Sequence, residues 1–229
     1  MNQRMTQKFA MRLCCAAALT VCASMSHAIG VTDAKGDYVA GFAGSKAGDL
    51  DVIGSFVTYN VATDMFVFSG TMDADIGATP GGFFVWGVNR GAGTAGFAAN
   101  GVGGVLFDSV VRFNQDGSGA VNRFSGPGAG ATPLAAGTAK IIGSTIIGQI
   151  SGSLLTGNGF AKTAYTWNLW PRDGALAGFA AISDFAPDNS NLGVTVIGSV
   201  PEPTSLAMFG LGLAALALGK RRLAASKRM

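Results

Sequence analysis

Histidine, cysteine and glutamate are almost missing from this chain of 229 residues. The single histidine is His27, the three cysteines stand at positions 14, 15 and 22, and the one glutamate is Glu202. From residue 29 onward the sequence therefore has neither a thiol nor an imidazole. This excludes disulfide bonds, zinc sites built from cysteine and histidine, and nucleophiles activated by histidine from that part of the chain.

Positive charge is also scarce in the middle of the chain. Residues 29–200 contain 12 aspartates against eight lysines and arginines, a balance of four negative charges, although the whole chain carries +3. This composition lacks the basic surface that binds nucleic acid. We therefore expect no nucleic-acid partner.

The first 28 residues have the pattern of a secretory signal peptide. Three basic residues come first: Arg4, Lys8 and Arg12. An apolar stretch follows at 13–24, and the small residues Ser26 and Ala28 stand where signal peptidase recognises its substrates. We predict export by the Sec machinery and cleavage after Ala28, so that Ile29 begins the mature protein. An uncleaved anchor and a lipoprotein site at Cys22 are the alternatives.

The last 29 residues combine three features in order. A sorting triplet of Pro201, Glu202 and Pro203 is followed by an uncharged stretch at 204–219 and by a basic cluster of Lys220, Arg221 and Arg222. A helix over the uncharged stretch rises about 24 Å, a marginal transmembrane span for a hydrocarbon core about 30 Å thick. The basic cluster predicts that the C-terminus stays in the cytoplasm.

The sorting triplet, the apolar stretch and the basic cluster together resemble the PEP-CTERM sorting signal of Gram-negative bacteria, whose substrates are processed by an exosortase. The resemblance implies a precursor anchored in the inner membrane and a mature protein at the cell surface or secreted. An ordinary anchor with a chance pair of prolines is the alternative. We predict a signal peptide at 1–28, an ectodomain at 29–198 and a sorting and anchor segment at 199–229.

The ectodomain reads as β structure. Short β-branched and aromatic runs between turn residues predict an all-β fold, a single antiparallel β-sandwich of the jelly-roll kind, flanked by a signal helix and a transmembrane helix. The predicted strands are 50–59, 65–72, 83–88, 105–113, 119–124, 145–150, 163–170 and 193–197. Gly143 and Ser144 are predicted to form a two-residue hairpin turn. Glycine-rich loops are predicted at 91–104 and 126–132.

Two loop patterns are candidate sites. Residues 91–96 spell G-x-G-x-x-G, but poor helix formers follow, so we predict no dinucleotide site there. Aspartates recur in close pairs, at 33 and 37, 49 and 51, 73 and 75, and 184 and 188. Loop carboxylates can bind calcium, which makes Asp33, Asp37, Asp49 and Asp51 candidate ligands. The alternative is that they cap turns. We expect no cofactor other than calcium.

The segment 165–173 is the most distinctive part of the ectodomain. Strand alternation places three side chains on the core face: Tyr165, Trp167 and Leu169. Trp170 falls on the other face, where with Arg172 and Asp173 it is a candidate contact for a glycan. The alternative is that Trp170 packs beneath a neighbouring loop.

The spacing of Asp33 and Asp37, the run 48–52 and the later run 165–167 are similar to the opening and closing strands of DOMON-like and family 9 carbohydrate-binding sandwiches. The resemblance implies sugar binding, whereas the haem-binding relatives use ligands that this ectodomain lacks. We therefore expect a non-catalytic surface or matrix protein associated with extracellular polysaccharide. A specific glycan-binding module and a hydrolase that uses aspartates are the alternatives.

Overall fold

The computed structural model describes residues 29–198 and, beyond them, Gly210 and Gly212. The predicted signal peptide, its cleavage site at Ala28, the sorting triplet and the basic cluster lie outside the described residues, as does most of the stretch 204–219. Within the described part of the chain, no helix combines the length and the apolar character needed to cross a membrane.

Residues 29–198 form twelve strands in two six-stranded sheets. The strands are β1 (Val31–Thr32), β2 (Val52–Asn60), β3 (Met65–Met72), β4 (Phe83–Asn89), β5 (Ser109–Asn114), β6 (Gly119–Arg123), β7 (Gly130–Leu134), β8 (Ala139–Ile142), β9 (Thr145–Ser151), β10 (Thr166–Arg172), β11 (Leu192–Gly193) and β12 (Thr195–Ile197). Short 3-10 turns lie at Ala98–Asn100, Gly152–Leu154, Lys162–Ala164 and Phe179–Ala181. The first sheet has the order β1-β2-β3-β9-β8, with β12 also paired to β2, and the second has the order β11-β10-β4-β5-β6-β7.

The pairing of β12 with β2 is an exception to the predicted antiparallel arrangement. The chain leaves the second sheet after β11 and joins the first at β12, which runs parallel to β2 with Thr195 opposite Thr58. β1 pairs antiparallel with another part of β2, and the main-chain nitrogen of Ile29 donates to Thr195 Oγ1 at 2.8 Å. The start of the described chain and its last strand therefore lie side by side.

The two sheets pack face to face around an aromatic core. The ring of Phe68 on β3 meets Trp86 on β4 and Phe113 on β5 edge to face, with ring centroids 5.8 and 6.3 Å apart. A Cβ added at Gly148 on β9 would lie 2.3 Å from the Phe113 ring, so only glycine allows this approach. Three residues of the core are fully buried as the alternation predicts: Tyr165, Trp167 and Leu169.

The outer face of the second sheet is partly covered by loops. Trp170 and Val85 pack there against Val105, Ile182 and Phe185. The covering residues come from the segments 94–107 and 178–188. This sheet thus has apolar side chains on both faces, unlike a strand pattern with one wet face.

The predicted strands at 50–59, 65–72, 83–88, 119–124 and 145–150 match observed strands to within two residues, and the turn at Gly143 joins β8 to β9 with a φ of 59°. The stretch predicted at 193–197 is divided between the two sheets. β5 begins four residues later than predicted, and β10 begins after a 3-10 turn. β7 falls partly in a predicted loop because its side chains are mostly exposed and show no apolar alternation.

Candidate functional site

Five aspartates from distant parts of the chain converge where β1 ends and β2 begins. Carboxylate oxygens of Asp33, Asp37 and Asp188 lie within 4.8 Å of one another, and so do those of Asp37, Asp51 and Asp184. Asp37 belongs to both groups. We call these five residues the aspartate cluster.

Main-chain hydrogen bonds fix two carboxylates of the aspartate cluster. Asp51 Oδ2 accepts a hydrogen bond from the nitrogen of Gly36 at 2.7 Å, which draws the turn after β1 towards the start of β2. Asp184 accepts hydrogen bonds from the nitrogens of Val52 at 2.9 Å and Phe185 at 2.7 Å. The segments around residues 36, 51 and 184 are therefore tied together by the acidic side chains themselves.

Two oxygens of the aspartate cluster are buried without a hydrogen-bond partner: Asp51 Oδ1 and Asp33 Oδ2. The whole Asp51 side chain is buried, with the residue only 1% exposed. Burial raises the pKa of Asp51 and, together with the charges of Asp188 and Asp37, raises the pKa of Asp33 to about 6. Burial also raises the pKa of Asp184 to about 8. The cluster thus holds negative charge that its surroundings do not compensate.

Asp49 lies outside the aspartate cluster, although the sequence made it a candidate ligand. Its carboxylate accepts hydrogen bonds from the nitrogen of Thr79 at 2.6 Å and from Thr79 Oγ1 at 2.7 Å. It therefore fastens the loop before β4, as the turn-capping alternative predicted. Asp184 and Asp188 take part instead, and about 150 residues of sequence hid their proximity to Asp33 and Asp37.

A cavity of about 300 Å³ lies beside the aspartate cluster. Asp37, Asp184 and Asp188 line one side, and apolar side chains that include Val102 and Phe179 line another. Asp37 and Asp188 are exposed, so small ions can reach the cluster from solvent.

A second opening, which we call the aromatic groove, crosses the outer face of the second sheet and has a volume of about 370 Å³. Its lining includes Phe83, Phe107, Phe124, Trp170, Arg112 and Arg172. Phe124 is 58% exposed, and the guanidinium of Arg112 lies over the Phe83 ring at 5.4 Å from its centroid. The aromatic groove therefore combines open aromatic surface with two cations.

The three residues predicted to contact a glycan occupy different places. Trp170 is 2% exposed and packs under Phe97 and Phe107, so the alternative of packing beneath a loop describes most of its ring. Arg172 lines the groove and donates from Nη2 to the carbonyl of Gly178 at 2.6 Å, and burial lowers its pKa. Asp173 lies outside the groove lining and accepts from the nitrogen of Ala175.

Sequence analysis missed Phe83, Phe107, Phe124 and Arg112 as groove residues. The signal was present in β4, where Phe83 and Val85 alternate with the core residues Phe84 and Trp86. Large apolar side chains on both faces of a strand indicate a second packed or binding surface. Such a pattern singles out β4 and β10 as the strands beneath the groove.

A buried ion pair lies elsewhere in the second sheet. Arg90 Nε is 3.2 Å from Asp108 Oδ1, and both side chains are almost completely shielded from solvent. Arg90 also donates to the carbonyls of Thr156 at 2.8 Å and Ser125 at 2.7 Å. Asp108 Oδ2 accepts from Asn158 at 2.8 Å. The pair is thus enclosed by its own hydrogen bonds and fastens loops to the sheet.

Comparison with known proteins identifies the C-terminal segment. A family model for the PEP-CTERM protein-sorting motif matches residues 199–222. No curated protein and no solved structure matches the chain. The matched range contains the sorting triplet, the apolar stretch and the basic cluster, which confirms that resemblance, while the similarity to DOMON-like sandwiches stays a prediction. The chain is a PEP-CTERM sorting-motif protein, exported to the cell envelope for processing by an exosortase.

Proposed function

We propose that this protein is a non-catalytic component of the cell surface or extracellular matrix that associates with extracellular polysaccharide. The sorting motif at residues 199–222 carries the proposal, because it directs the ectodomain to the compartment where such polymers lie. The net negative ectodomain also suits an exported role without nucleic acid. Export through the Sec machinery, cleavage by signal peptidase and a precursor held in the inner membrane with a cytoplasmic C-terminus belong to the same proposal.

Processing is tested with Glu202→Ala. The substitution leaves the apolar stretch unchanged, so membrane insertion should be normal while exosortase-dependent release or transfer is impaired. The size and distribution of a tagged protein are compared in wild-type and exosortase-deficient cells. Ser205→Ala, which keeps both the triplet and the basic cluster, is the matched control. Normal processing of Glu202→Ala in wild-type cells and of the unaltered chain in deficient cells would contradict this part of the proposal.

The aromatic groove is the surface that we assign to polysaccharide. Phe124 and Phe83 offer ring surface for stacking against sugars, and Arg112 beside Phe83 offers donors to hydroxyl or acidic groups. Only part of Trp170 borders the groove, so we assign it a supporting role beneath the site. The jelly-roll class and the carbohydrate-binding resemblance agree with this use of an outer sheet face, and both remain part of the proposal.

Polysaccharide binding is tested with Phe124→Ala and Arg112→Ala. The probe is the extracellular polysaccharide of the producing strain, with a glycan array to identify the preferred sugar. We expect each variant to bind at least about tenfold more weakly, which corresponds to about 1.4 kcal/mol. Phe160→Ala is the matched control, because Phe160 is 42% exposed and lies outside the groove lining. Equal binding by Phe124→Ala and Phe160→Ala would remove the groove from the proposal.

An aspartate-dependent hydrolase remains a second candidate because of one observation. Asp184, with its raised pKa, lies near the ionised side chain of Asp37, and a protonated carboxyl beside a carboxylate is the pairing that glycosidases use. Asp184 is only 2% exposed, however, and a catalytic acid must touch its substrate. Turnover of the strain's polysaccharide by the unaltered chain, lost in Asp37→Asn, would replace the non-catalytic proposal with this one.

A further inference from the structure

The aspartate cluster has the composition and spacing of a cation site. Five carboxylates meet there from three loops, and the cluster is a different part of the molecule from the aromatic groove. We propose that Asp33, Asp37, Asp51, Asp184 and Asp188 bind a calcium ion that fastens the start of the ectodomain to the loop before β11. This proposal is independent of polysaccharide binding and of exosortase processing.

The spacing of the oxygens fits a shared calcium ion. Oxygens that bind one Ca²⁺ at about 2.3–2.6 Å can be no more than about 4.6–5.2 Å apart. Both groups of three aspartates satisfy this limit, since their oxygens lie within 4.8 Å of one another. Asp37 is common to both groups, so an ion placed beside Asp37 can draw ligands from each.

The unpartnered oxygen of Asp51 is an independent indication that a ligand belongs here. Asp51 is 1% exposed, its Oδ2 is satisfied by Gly36, and its Oδ1 is buried with no hydrogen-bond partner. A buried polar atom without a partner is unfavourable, and an ionised one more so. Asp33 Oδ2 has the same deficit. A cation bound between the two carboxylates would remove both deficits.

The protein's own cations do not fill this role in the described part of the chain. Lys35 lies close by, but its Nζ is 2.6 Å from Asp73 and its side chain is 73% exposed. The other described salt bridges join Arg90 to Asp108 and Lys162 to Asp64, outside the cluster. The negative charge of the aspartate cluster therefore has no counterpart among the described ion pairs.

The chemistry of the donors favours calcium over other metals. All five side chains offer hard oxygen, and residues 29–198 contain no histidine or cysteine, so zinc and copper lack their usual ligands. Magnesium keeps several waters in a regular octahedron and is rarely enclosed by many carboxylates. Loops of irregular geometry with several carboxylates suit the larger and more adaptable Ca²⁺.

A bound calcium ion would join two segments that also shape the rest of the molecule. The turn at 33–37 follows β1, and the segment 184–188 includes Phe185, whose ring packs 6.0 Å from Trp170 on the outer face of the second sheet. Holding 184–188 in place therefore helps to keep the cover over that face closed.

The test uses the full chain purified in detergent, with Ca²⁺ itself as the probe. Titration calorimetry in calcium-free buffer should show saturable binding. At a calcium concentration about 100 times Kd, the folding equilibrium shifts about 100-fold, which raises the melting temperature by roughly 5–10 °C for a domain of this size. Equal amounts of Mg²⁺ should have a much smaller effect.

Two variants keep the result decisive. Asp51→Asn should weaken calcium binding at least about tenfold, and Asp37→Asn does the same from an exposed position that is unimportant for folding. Asp75→Asn, an exposed aspartate outside the cluster, is the matched control and should bind as the unaltered chain does. Identical melts in calcium and chelator, or binding that survives in both cluster variants, would overturn the proposal.

Discussion

The Arg90–Asp108 pair and the aspartate cluster are both buried groups of charged side chains, and they are compensated in opposite ways. Asp108 faces a guanidinium and receives a further hydrogen bond from Asn158, so both of its oxygens are satisfied. Asp51 is buried to the same degree, yet one of its oxygens has no partner. Burial alone therefore does not separate a structural carboxylate from a binding site, whereas the partners of each oxygen do.

The difference also predicts how each region responds to its environment. A pair that supplies its own counter-charge should be indifferent to added cations, because nothing in it is left to bind. A cluster of like charges should depend on them. The substitutions below break or sharpen this comparison, in order of decreasing effect on the free energy of unfolding.

Arg90→Met should cause the largest loss of stability. Removing the guanidinium leaves Asp108 buried and unpaired, which costs about 3–5 kcal/mol. The loops held through the carbonyls of Thr156 and Ser125 should loosen with it. Urea unfolding, run in calcium and in chelator, measures the effect, which should be the same in both.

The exposed arginine Arg112 provides the control for this substitution. Arg112→Met should change stability by less than about 0.5 kcal/mol. A loss in Arg90→Met that is as small as this, or that appears only in chelator, would contradict the view that the buried pair is self-contained.

Asp49→Asn should come next, with a loss of about 1.5–3 kcal/mol because hydrogen bonds to an ionised acceptor are lost or weakened. Thr79 donates to this carboxylate twice, from its nitrogen and from Oγ1. Thermal melts should show the same loss with and without calcium, because Asp49 lies outside the aspartate cluster. A calcium-dependent loss would return Asp49 to the list of ligands.

Asp49 and Asp51 also mark the limit of what the sequence could predict. Both are acidic, two residues apart and next to a strand, so local pattern cannot distinguish them. The partners that do distinguish them, Thr79 for one and the 184–188 segment for the other, lie 30 or more residues away. The strands were predictable because their signal is local: β3 was predicted with its observed bounds from apolar and β-branched residues alone.

Trp170 gives the same lesson for the aromatic groove. Alternation along β10 correctly placed it opposite Trp167, because side-chain direction follows from strand geometry. Its burial depends on Phe97 and Phe185, which arrive from loops whose paths the sequence does not determine. The sorting motif was recognisable without any structure, because its features occur in one continuous segment.

Asp51→Asn should change stability in a direction that depends on calcium. In chelator, an amide replaces a carboxylate that has one unpartnered oxygen and like-charged neighbours, so we expect a gain of about 1 kcal/mol. In saturating calcium the variant loses a ligand and should be less stable than the unaltered chain. Urea unfolding in the two buffers measures the crossing. A loss in chelator as large as that of Asp49→Asn would mean that Asp51 is already compensated.

Lys162→Met should have the smallest effect, although Lys162 and Asp64 form a close ion pair with Nζ 2.6 Å from Oδ1. The side chains are 24% and 44% exposed, so water screens the attraction and the expected loss is below about 1 kcal/mol. Asp64 also keeps the hydrogen bond from the Tyr59 hydroxyl at 2.8 Å when the lysine is removed.

Salt separates this exposed pair from the buried one. At about 1 M salt the Debye length falls to about 3 Å, so the unaltered chain and Lys162→Met should become equally stable, while the deficit of Arg90→Met persists. Paired urea titrations at low and high salt measure both differences. If Lys162→Met is as damaging as Arg90→Met, or keeps its deficit in high salt, then the distance between two charges rather than their burial decides what an ion pair contributes in this protein.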